Sequence, residues 1–212
     1  MADHQYSGRG QQNNVWYTAP GLNLTFSLYL CPSFLPIGKQ FLLNMAISVG
    51  IRNGLRHFAG AELQVKWPND LYYQGKKLGG VLIENMLSGS LYKASIIGIG
   101  LNVNQVDFPA ELLSRATSLG KILQEHVNLN GLLGVLCSHI EVQYLKLKQG
   151  NYESLRKDYL AGLFRFEELA EYRHNGQIFQ GRIVNVTESG MLVISSGGQE
   201  SMFNFKEVEF LT

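Results

Sequence analysis

Two lysine-bearing segments about ten residues apart carry most of the chemical information in this chain: Lys66-Trp67-Pro68-Asn69-Asp70, and Gly75-Lys76-Lys77-Leu78-Gly79-Gly80 running into Val81-Leu82-Ile83-Glu84. Between them lies the strand-like stretch Leu71-Tyr72-Tyr73. The set places two amines, an amide and a carboxylate at strand ends, beside glycines that let a ligand come close to the backbone. Such a set suits a site that holds anions and activates a carboxylate. A lysine in an exposed turn is ordinarily just solvated. Beside Trp67, Pro68 and Gly79-Gly80, a lysine head can instead sit where water is scarce, and there its charge acts on phosphate or carboxylate oxygens far more strongly. Asn69 and Asp70 have two readings. They cap the turn, or Asp70 binds a metal ion or steadies an incoming amine.

Two glycine clusters accompany these segments. Ser7-Gly8-Arg9-Gly10-Gln11-Gln12-Asn13-Asn14-Val15-Trp16 reads either as a mobile loop whose amides and guanidinium meet an anion and exclude water, or as a flexible loop with a solvated arginine. Gly98-Ile99-Gly100-Leu101-Asn102-Val103-Asn104 is half of a dinucleotide fingerprint. Its third glycine is missing and no helix pattern follows, so the Rossmann reading is weak. The five histidines are scattered and Cys31 and Cys137 lie far apart, which gives no zinc spacing. Neither a Walker phosphate loop nor a Gly-x-Ser-x-Gly elbow is present.

The elements that position these residues follow from periodicity. Asn23 to Leu30 alternates as a half-buried strand. Beyond Pro36, Phe41, Leu42, Met45, Ala46, Val49 and Leu55 recur at helical steps, predicting an amphipathic helix that ends near His57. Leu63 to Lys66 is a short strand stopped by Pro68. Val81 to Met86 and Leu91 to Asn104 read as strands joined through Ser88-Gly89-Ser90. Leu132 to Leu147 is a long helix closed by Gly150, and Tyr152 to Leu163 another. After Phe166 the texture becomes short β-rich runs separated by Asn175-Gly176, Ser189-Gly190 and Gly197-Gly198, which are hairpin signals. A boundary is expected near residues 166–170, dividing the chain into 1–167 and 168–212. At 212 residues, 45% apolar, 17% charged and net charge +1, the composition is that of an ordinary globular chain; it argues against a general polyanion binder and leaves room for a local basic patch. With no long apolar run, no signal pattern and no cysteine pairing, the expected setting is cytoplasmic and reduced.

Taken in order, the motifs resemble one family, the biotin protein ligases, also called biotin–[acetyl-CoA-carboxylase] ligases. The resemblance runs through Gly8-Arg9-Gly10…Trp16, Pro20-Gly21-Leu22-Asn23-Leu24, Lys66 to Leu71, Lys77 to Glu84, Gly98 to Asn104 and Ala116-Thr117-Ser118-Leu119. It implies an α+β fold: a mixed β-sheet with helices on one side, of the class II synthetase-like type, and a small C-terminal SH3-like β-barrel. It also implies a two-step reaction, in which biotin and Mg-ATP give biotinyl-5′-AMP, and biotin then passes to a lysine of a biotin carboxyl carrier protein such as that of acetyl-CoA carboxylase. By family position Lys77, Asp70 and Lys66 are the catalytic candidates. Gln5, Arg9, Gly10, Gln11, Lys77 and Gly80 face biotin. Trp16, Asn69 and Asn102 belong to the nucleotide site, with Asp70 the metal candidate for Mg2+. No DNA or membrane partner is expected, since Arg173, Arg182 and Lys206 form no basic stripe; a homodimer is compatible with the resemblance. Two alternatives stay open: an inactive biotin- or adenylate-binding paralogue or fragment, and a related lipoate-type ligase.

The sequence departs from the family pattern twice. Family catalytic domains begin with a strand and a serine-threonine-asparagine segment before the glycine loop, whereas this chain opens on Met1-Ala2-Asp3-His4-Gln5. Roughly one strand and one helix, and any N-terminal helix-turn-helix, are therefore expected to be missing. The family loop also carries further arginines where Gln11 and Asn14 stand here. Neutral amides bond to phosphate oxygens but supply no charge, so weaker adenylate retention is expected than with a fully basic loop. Restoring charge with Gln11→Arg should slow leakage of bound adenylate, measured by rapid filtration; unchanged retention would count against an anion-facing loop.

Overall fold

The computed structural model describes residues 1–11, 15–89 and 91–211. Asn14 and Ser90, both singled out above, lie outside the described residues. The larger sheet contains β1 (Leu24–Leu30), β2 (Leu63–Lys66), β3 (Asp70–Tyr73), β4 (Lys76–Ser88) and β5 (Leu91–Leu101), in the order β1-β5-β4-β3-β2. All its strand pairs are antiparallel, where a mixed sheet was expected. The reason is local. From β2 to β5 each strand follows its neighbour through a short turn, and tight turns join only antiparallel strands. Parallel contacts to this sheet are confined to isolated bridges, Val65 with Leu163 and Lys77 with Ala116. β4 begins earlier than its apolar run implies, at Lys76 rather than Val81, so the lysine and glycine motif is strand and not loop.

One face of the sheet is apolar. The cross-strand rows Leu24/Leu101 and Phe26/Ile99/Val81 belong to the same hydrophobic cluster as α1 (Phe41–Ala59) and α3 (Leu129–Lys148). The spacing of α1 predicts one buried stripe, yet nearly all of its circumference is buried, because α3 and α4 (Tyr152–Leu160) pack against it as well as the sheet. The short α2 (Leu119–Leu123) follows β5, its N-terminus capped by the Ser118 hydroxyl accepting from the Lys121 N–H. Glycine makes the closest helix approach feasible. A Cβ at Gly50 would lie 2.7 Å from the Ile140 Cα on α3.

The C-terminal residues form a second antiparallel sheet from β6 (Leu169–His174), β7 (Gln177–Val186), β8 (Leu192–Ser196), β9 (Gln199–Phe203) and β10 (Glu209–Phe210), in the order β10-β6-β7-β8-β9. Asn175-Gly176 (φ 49° and 78°) and Gly197-Gly198 (φ 58° and 83°) have the double positive φ of type I′ hairpin turns. Pairing between β9 and β10 is absent among the described residues, so the architecture established is an open five-stranded sheet. Trp67 is one of the residues that fasten it to the rest of the molecule. That indole N–H donates to the Gly190 carbonyl at 2.9 Å, and its ring meets Phe205 edge-on at 6.0 Å. The Arg156 guanidinium donates to the Asn185 side-chain carbonyl at 2.5 Å, and Lys39 pairs with Glu188 at 3.1 Å. Among the described residues no helix is long and apolar enough to cross a membrane.

In an exposed helix, Gly→Ala stabilises by about 1 kcal/mol. At Gly50 the added methyl meets backbone, which cannot rotate aside, so Gly50→Ala should instead destabilise by about 1–3 kcal/mol. A urea titration followed by far-UV circular dichroism checks the sign; stabilisation would refute the close crossing of α1 and α3.

Candidate active site

The face of the large sheet turned away from the helices is nearly bare. Register places Thr25, Gly100 and Gly80 in one cross-strand row and Ser27, Gly98 and Leu82 in the next. Glycines therefore floor a trough across β1, β5 and β4. A Cβ at Gly98 would meet nothing closer than 3.7 Å, so that space is open to a ligand. The trough widens into a cleft of about 810 Å³. Its walls come from the N-terminal loop (Gln5, Arg9, Gly10, Gln11, Trp16), from the strand ends bearing Lys66, Asn69, Asp70 and Lys77, and from the C-terminal sheet.

Lys77 reaches this cleft because of a β-bulge. The β3–β4 register shifts between Leu71 and Tyr72, pairing Tyr72 with Lys77 but Leu71 with Gly79. The extra residue puts Leu78 and Gly79 consecutively into the core, and so turns both Lys77 and Gly80 to the cleft. The Lys77 backbone is held on both sides: its N–H donates to the Arg115 carbonyl at 2.7 Å, and its carbonyl accepts from the Thr117 N–H at 2.9 Å. Its amine lies 2.7 Å from an Asp70 carboxylate oxygen, with the two side chains about one-third exposed. It is also 6.0 Å from the centre of the Trp16 ring. Asp70 sits opposite Gly80, where a Cβ would come within 3.0 Å of the carboxylate.

Lys66 points into the same cleft between two rings, 4.8 Å from Tyr72 and 5.0 Å from Phe210. Burial pushes its pKa below the ordinary lysine value; Asp70 opposes this, while Arg165 and Lys77 add to it. Burial, with Asp70 nearby, raises the Tyr72 phenol to about 12, so it is a neutral donor at physiological pH. Trp16 lies flat against Gly100, where a Cβ would be 2.7 Å from its indole. Its buried ring N–H has no hydrogen-bond partner among the described residues, leaving a donor for a ligand. The loop bearing it folds back on itself through the Trp16 N–H to Gly8 carbonyl bond at 2.9 Å and the Arg9–Val15 bridge.

The sequence-derived candidates therefore converge, with one exception. Gln5, Arg9, Gly10, Gln11, Trp16, Lys66, Asn69, Asp70, Lys77 and Gly80 all line the cleft. Asn102 does not. It is buried behind the wall, and its amide donates to the Thr117 carbonyl at 3.0 Å, which holds the segment that in turn clamps Lys77. Asn69 is also partly committed, because its amide donates to the Val81 carbonyl and ties the turn to β4. No group of three histidine, cysteine or carboxylate side chains positioned for a metal occurs among the described residues, so Asp70 has Lys77 rather than a second carboxylate as its partner. Arg115, Arg165, Tyr72, Phe205 and Phe210 line the cleft as well and were not anticipated. Tyr72 lies on the strand between the two lysine motifs, whereas the other four come from segments far from them in sequence, and no local spacing marks them.

Comparison with known proteins agrees with this geometry. Residues 1–102 match the sequence model of the Biotin/lipoate A/B protein ligase family. The chain is 30% identical over 201 residues to the bifunctional ligase/repressor BirA of Bacillus subtilis, covering 92% of this chain but 61% of that protein's length. It is 25% identical over 215 residues to the biotin–[acetyl-CoA-carboxylase] ligase of Mycobacterium tuberculosis, covering 100% of this chain and 78% of the relative. Among solved structures, a biotin protein ligase from Aquifex aeolicus in complex with biotin and ATP superposes with a TM-score of 0.82 at 26% identity, over 98% of this chain and 86% of the other.

The contact of Trp16 with the strand floor is testable on its own. Gly100→Ala should push the indole off the sheet, giving a red-shifted emission and easier acrylamide quenching; an unchanged spectrum would contradict the stacking.

Proposed function

We propose that the chain is a member of the biotin/lipoate A/B protein ligase family, a reading supported by the family match over residues 1–102 and by the likeness to biotin protein ligases, and that it activates biotin with ATP and transfers the biotinyl group to a lysine of a biotin carboxyl carrier protein, that of acetyl-CoA carboxylase or a related enzyme. In the first step a biotin carboxylate oxygen attacks the α-phosphorus of ATP. The bond to the β-phosphate oxygen breaks and pyrophosphate leaves. In the second, the carrier lysine amine attacks the acyl carbon of biotinyl-5′-AMP. An amide forms, AMP departs, and the amine loses its proton to solvent or a nearby base.

One observation carries this reading: the Lys77 amine opens into the same cleft as Gln5 and Trp16, beside a glycine-floored trough. Two anions approach one another only if a cation stands between them, and in a cleft of lowered dielectric that cation acts most strongly on the charge developing in the transition state. Asp70, bonded to Lys77, aims the amine. Gln5, Arg9, Gly10, Gln11 and Gly80 are assigned to biotin, whose largely apolar body suits a floor without side chains. Trp16 and Asn69 are assigned to the nucleotide, with Trp16 offering a stacking face, and Asn102 supports that region from behind. Mg2+ would arrive with ATP. It prefers oxygen ligands and keeps several waters, so one carboxylate such as Asp70 together with phosphate oxygens suffices. The C-terminal sheet is read as an SH3-like barrel that walls the cleft.

The decisive measurement is pyrophosphate release dependent on both biotin and ATP. Lys77→Ala should lower its rate by about 100-fold or more with the far-UV circular dichroism unchanged. Release in the variant within a few-fold of the unsubstituted protein would sink the assignment of Lys77, and none from the unsubstituted protein would favour an inactive binding paralogue. Competition by lipoate against biotin separates the two ligase chemistries.

A further inference from the structure

Two buried amides behind the cleft form a polar network that the reaction itself does not use. Asn23 precedes β1 and is 3% exposed; Gln105 follows β5 and is 1% exposed. The Gln105 side-chain carbonyl accepts from the Asn23 amide at 2.6 Å and from the Ala19 N–H at 3.1 Å. The Asn23 amide also donates to the Thr18 hydroxyl at 3.0 Å, and its carbonyl accepts from the Val103 N–H at 3.0 Å. The Gln105 amide donates to the Asp107 carbonyl at 2.8 Å. Both side chains thus engage oxygen and nitrogen alike. None of Thr18, Ala19, Asn23 and Gln105 lines the cleft.

The network grips one root of the N-terminal loop. Thr18 and Ala19 follow closely after Trp16, and the chain spans at most about 3.5 Å per residue. A shift of that root therefore carries over to the indole. The stretch that holds the root continues the strand that floors the ring: Trp16 lies against Gly100, and Val103 and Gln105 come just after it. The Asn104 N–H, donating to the Leu22 carbonyl at 2.7 Å, closes the same seam. The loop's other root is held by backbone, with the Ala2 N–H on the Thr25 carbonyl at 2.9 Å and the Gly21 N–H on the Asp3 carbonyl at 2.8 Å. The root beside Trp16 is set instead by side chains shielded from water. There a lost partner leaves an orphaned donor or acceptor with its full desolvation penalty.

We propose that Gln105, acting through Asn23 and the Thr18-Ala19 backbone, is a positioning residue that holds the Trp16 indole against Gly100 and so sets the affinity for the nucleotide base. A stacking face works only at one height and tilt, since a gap of about 0.5–1 Å forfeits a quarter to a half of each contact. The bond from the Trp16 N–H to the Gly8 carbonyl ties the loop only to itself, so the ring needs a brace from the sheet. The proposal rests on the ligase reading for the ring's partner. The placement of the ring does not.

Gln105→Met keeps the side chain's length and removes both its acceptor and its donor. In biotin-dependent pyrophosphate release, KM for ATP should rise about tenfold with kcat within about threefold of the unsubstituted protein. A merely structural loss would instead lower kcat through the active fraction and leave KM in place. In a Trp16→Ala background the same substitution should no longer move KM, because it acts through that ring. Without any ligand, Gln105→Met should raise acrylamide quenching of the tryptophan emission; Trp67 is buried, so the quenchable part reports Trp16. If Gln105→Met does not fold by far-UV circular dichroism, Thr18→Val replaces it in every arm, with a KM shift of about threefold expected. Unmoved KM for ATP, unmoved quenching, or a KM shift that persists undiminished in the Trp16→Ala background each overturns the proposal. If the unsubstituted protein releases no pyrophosphate while quenching still rises in the variant, the ligase reading fails and the brace on Trp16 stands.

Discussion

The bulge between β3 and β4 is the constraint on which the site depends. A regular strand alternates its faces, so Lys77 and Gly80, three apart, would point to opposite sides of the sheet. One extra residue at Leu78-Gly79 corrects this: the strand buries two consecutive positions and delivers both Lys77 and Gly80 to the cleft. The absence of a side chain at Gly80 then leaves room for the Asp70 carboxylate, which bonds the Lys77 amine. Bulge, glycine and ion pair are a single device. Its worth lies in aiming a cation, since a pair about one-third exposed contributes little to stability.

The Lys66-to-Asp70 segment does two jobs that its contiguity conceals. Lys66, Asn69 and Asp70 face the cleft. Trp67 also borders the cleft but is buried, with its ring against Phe205 and its N–H on the Gly190 carbonyl. The residues that serve the ligand and the residue that fastens the second sheet are thus adjacent in the chain. Placement of the C-terminal wall and placement of Lys66 cannot vary independently, because Phe210 of that wall is one of the two rings enclosing the Lys66 amine.

Much of this was legible beforehand where the information was local. Alternation marked β1, helical steps marked α1 and α3, and Asn175-Gly176 and Gly197-Gly198 marked hairpins whose φ values bear out that turn chemistry. The cleft-lining residues of the two lysine motifs were legible because glycine, lysine and carboxylate at close spacing have few structural uses together. Three things were not. The start of β4 at Lys76 was hidden because its outward residues are polar, so its apolar run begins only at Val81. The burial of α1 on nearly every side was hidden because it depends on α3 and α4, far along the chain. Arg115 and Arg165 were hidden because convergence of distant loops leaves no period to read. Asn102 shows the other side of the same limit: family position assigns it to the nucleotide site, and spacing alone does not reveal that its amide donates to the Thr117 carbonyl.

Gathering cations at the cleft has a thermodynamic consequence in the empty protein. Burial, with Arg165 and Lys77 nearby, depresses the pKa of Lys66, and Asp70 only partly opposes this. A lysine whose folded pKa lies below its unfolded value disfavours folding while it is protonated, and that penalty fades as pH rises through the depressed pKa. At neutral pH the unliganded cleft therefore carries an electrostatic cost, eased by the two rings that flank the amine. An entering polyanion reverses the sign, favouring the protonated lysine and removing the repulsion among its neighbours.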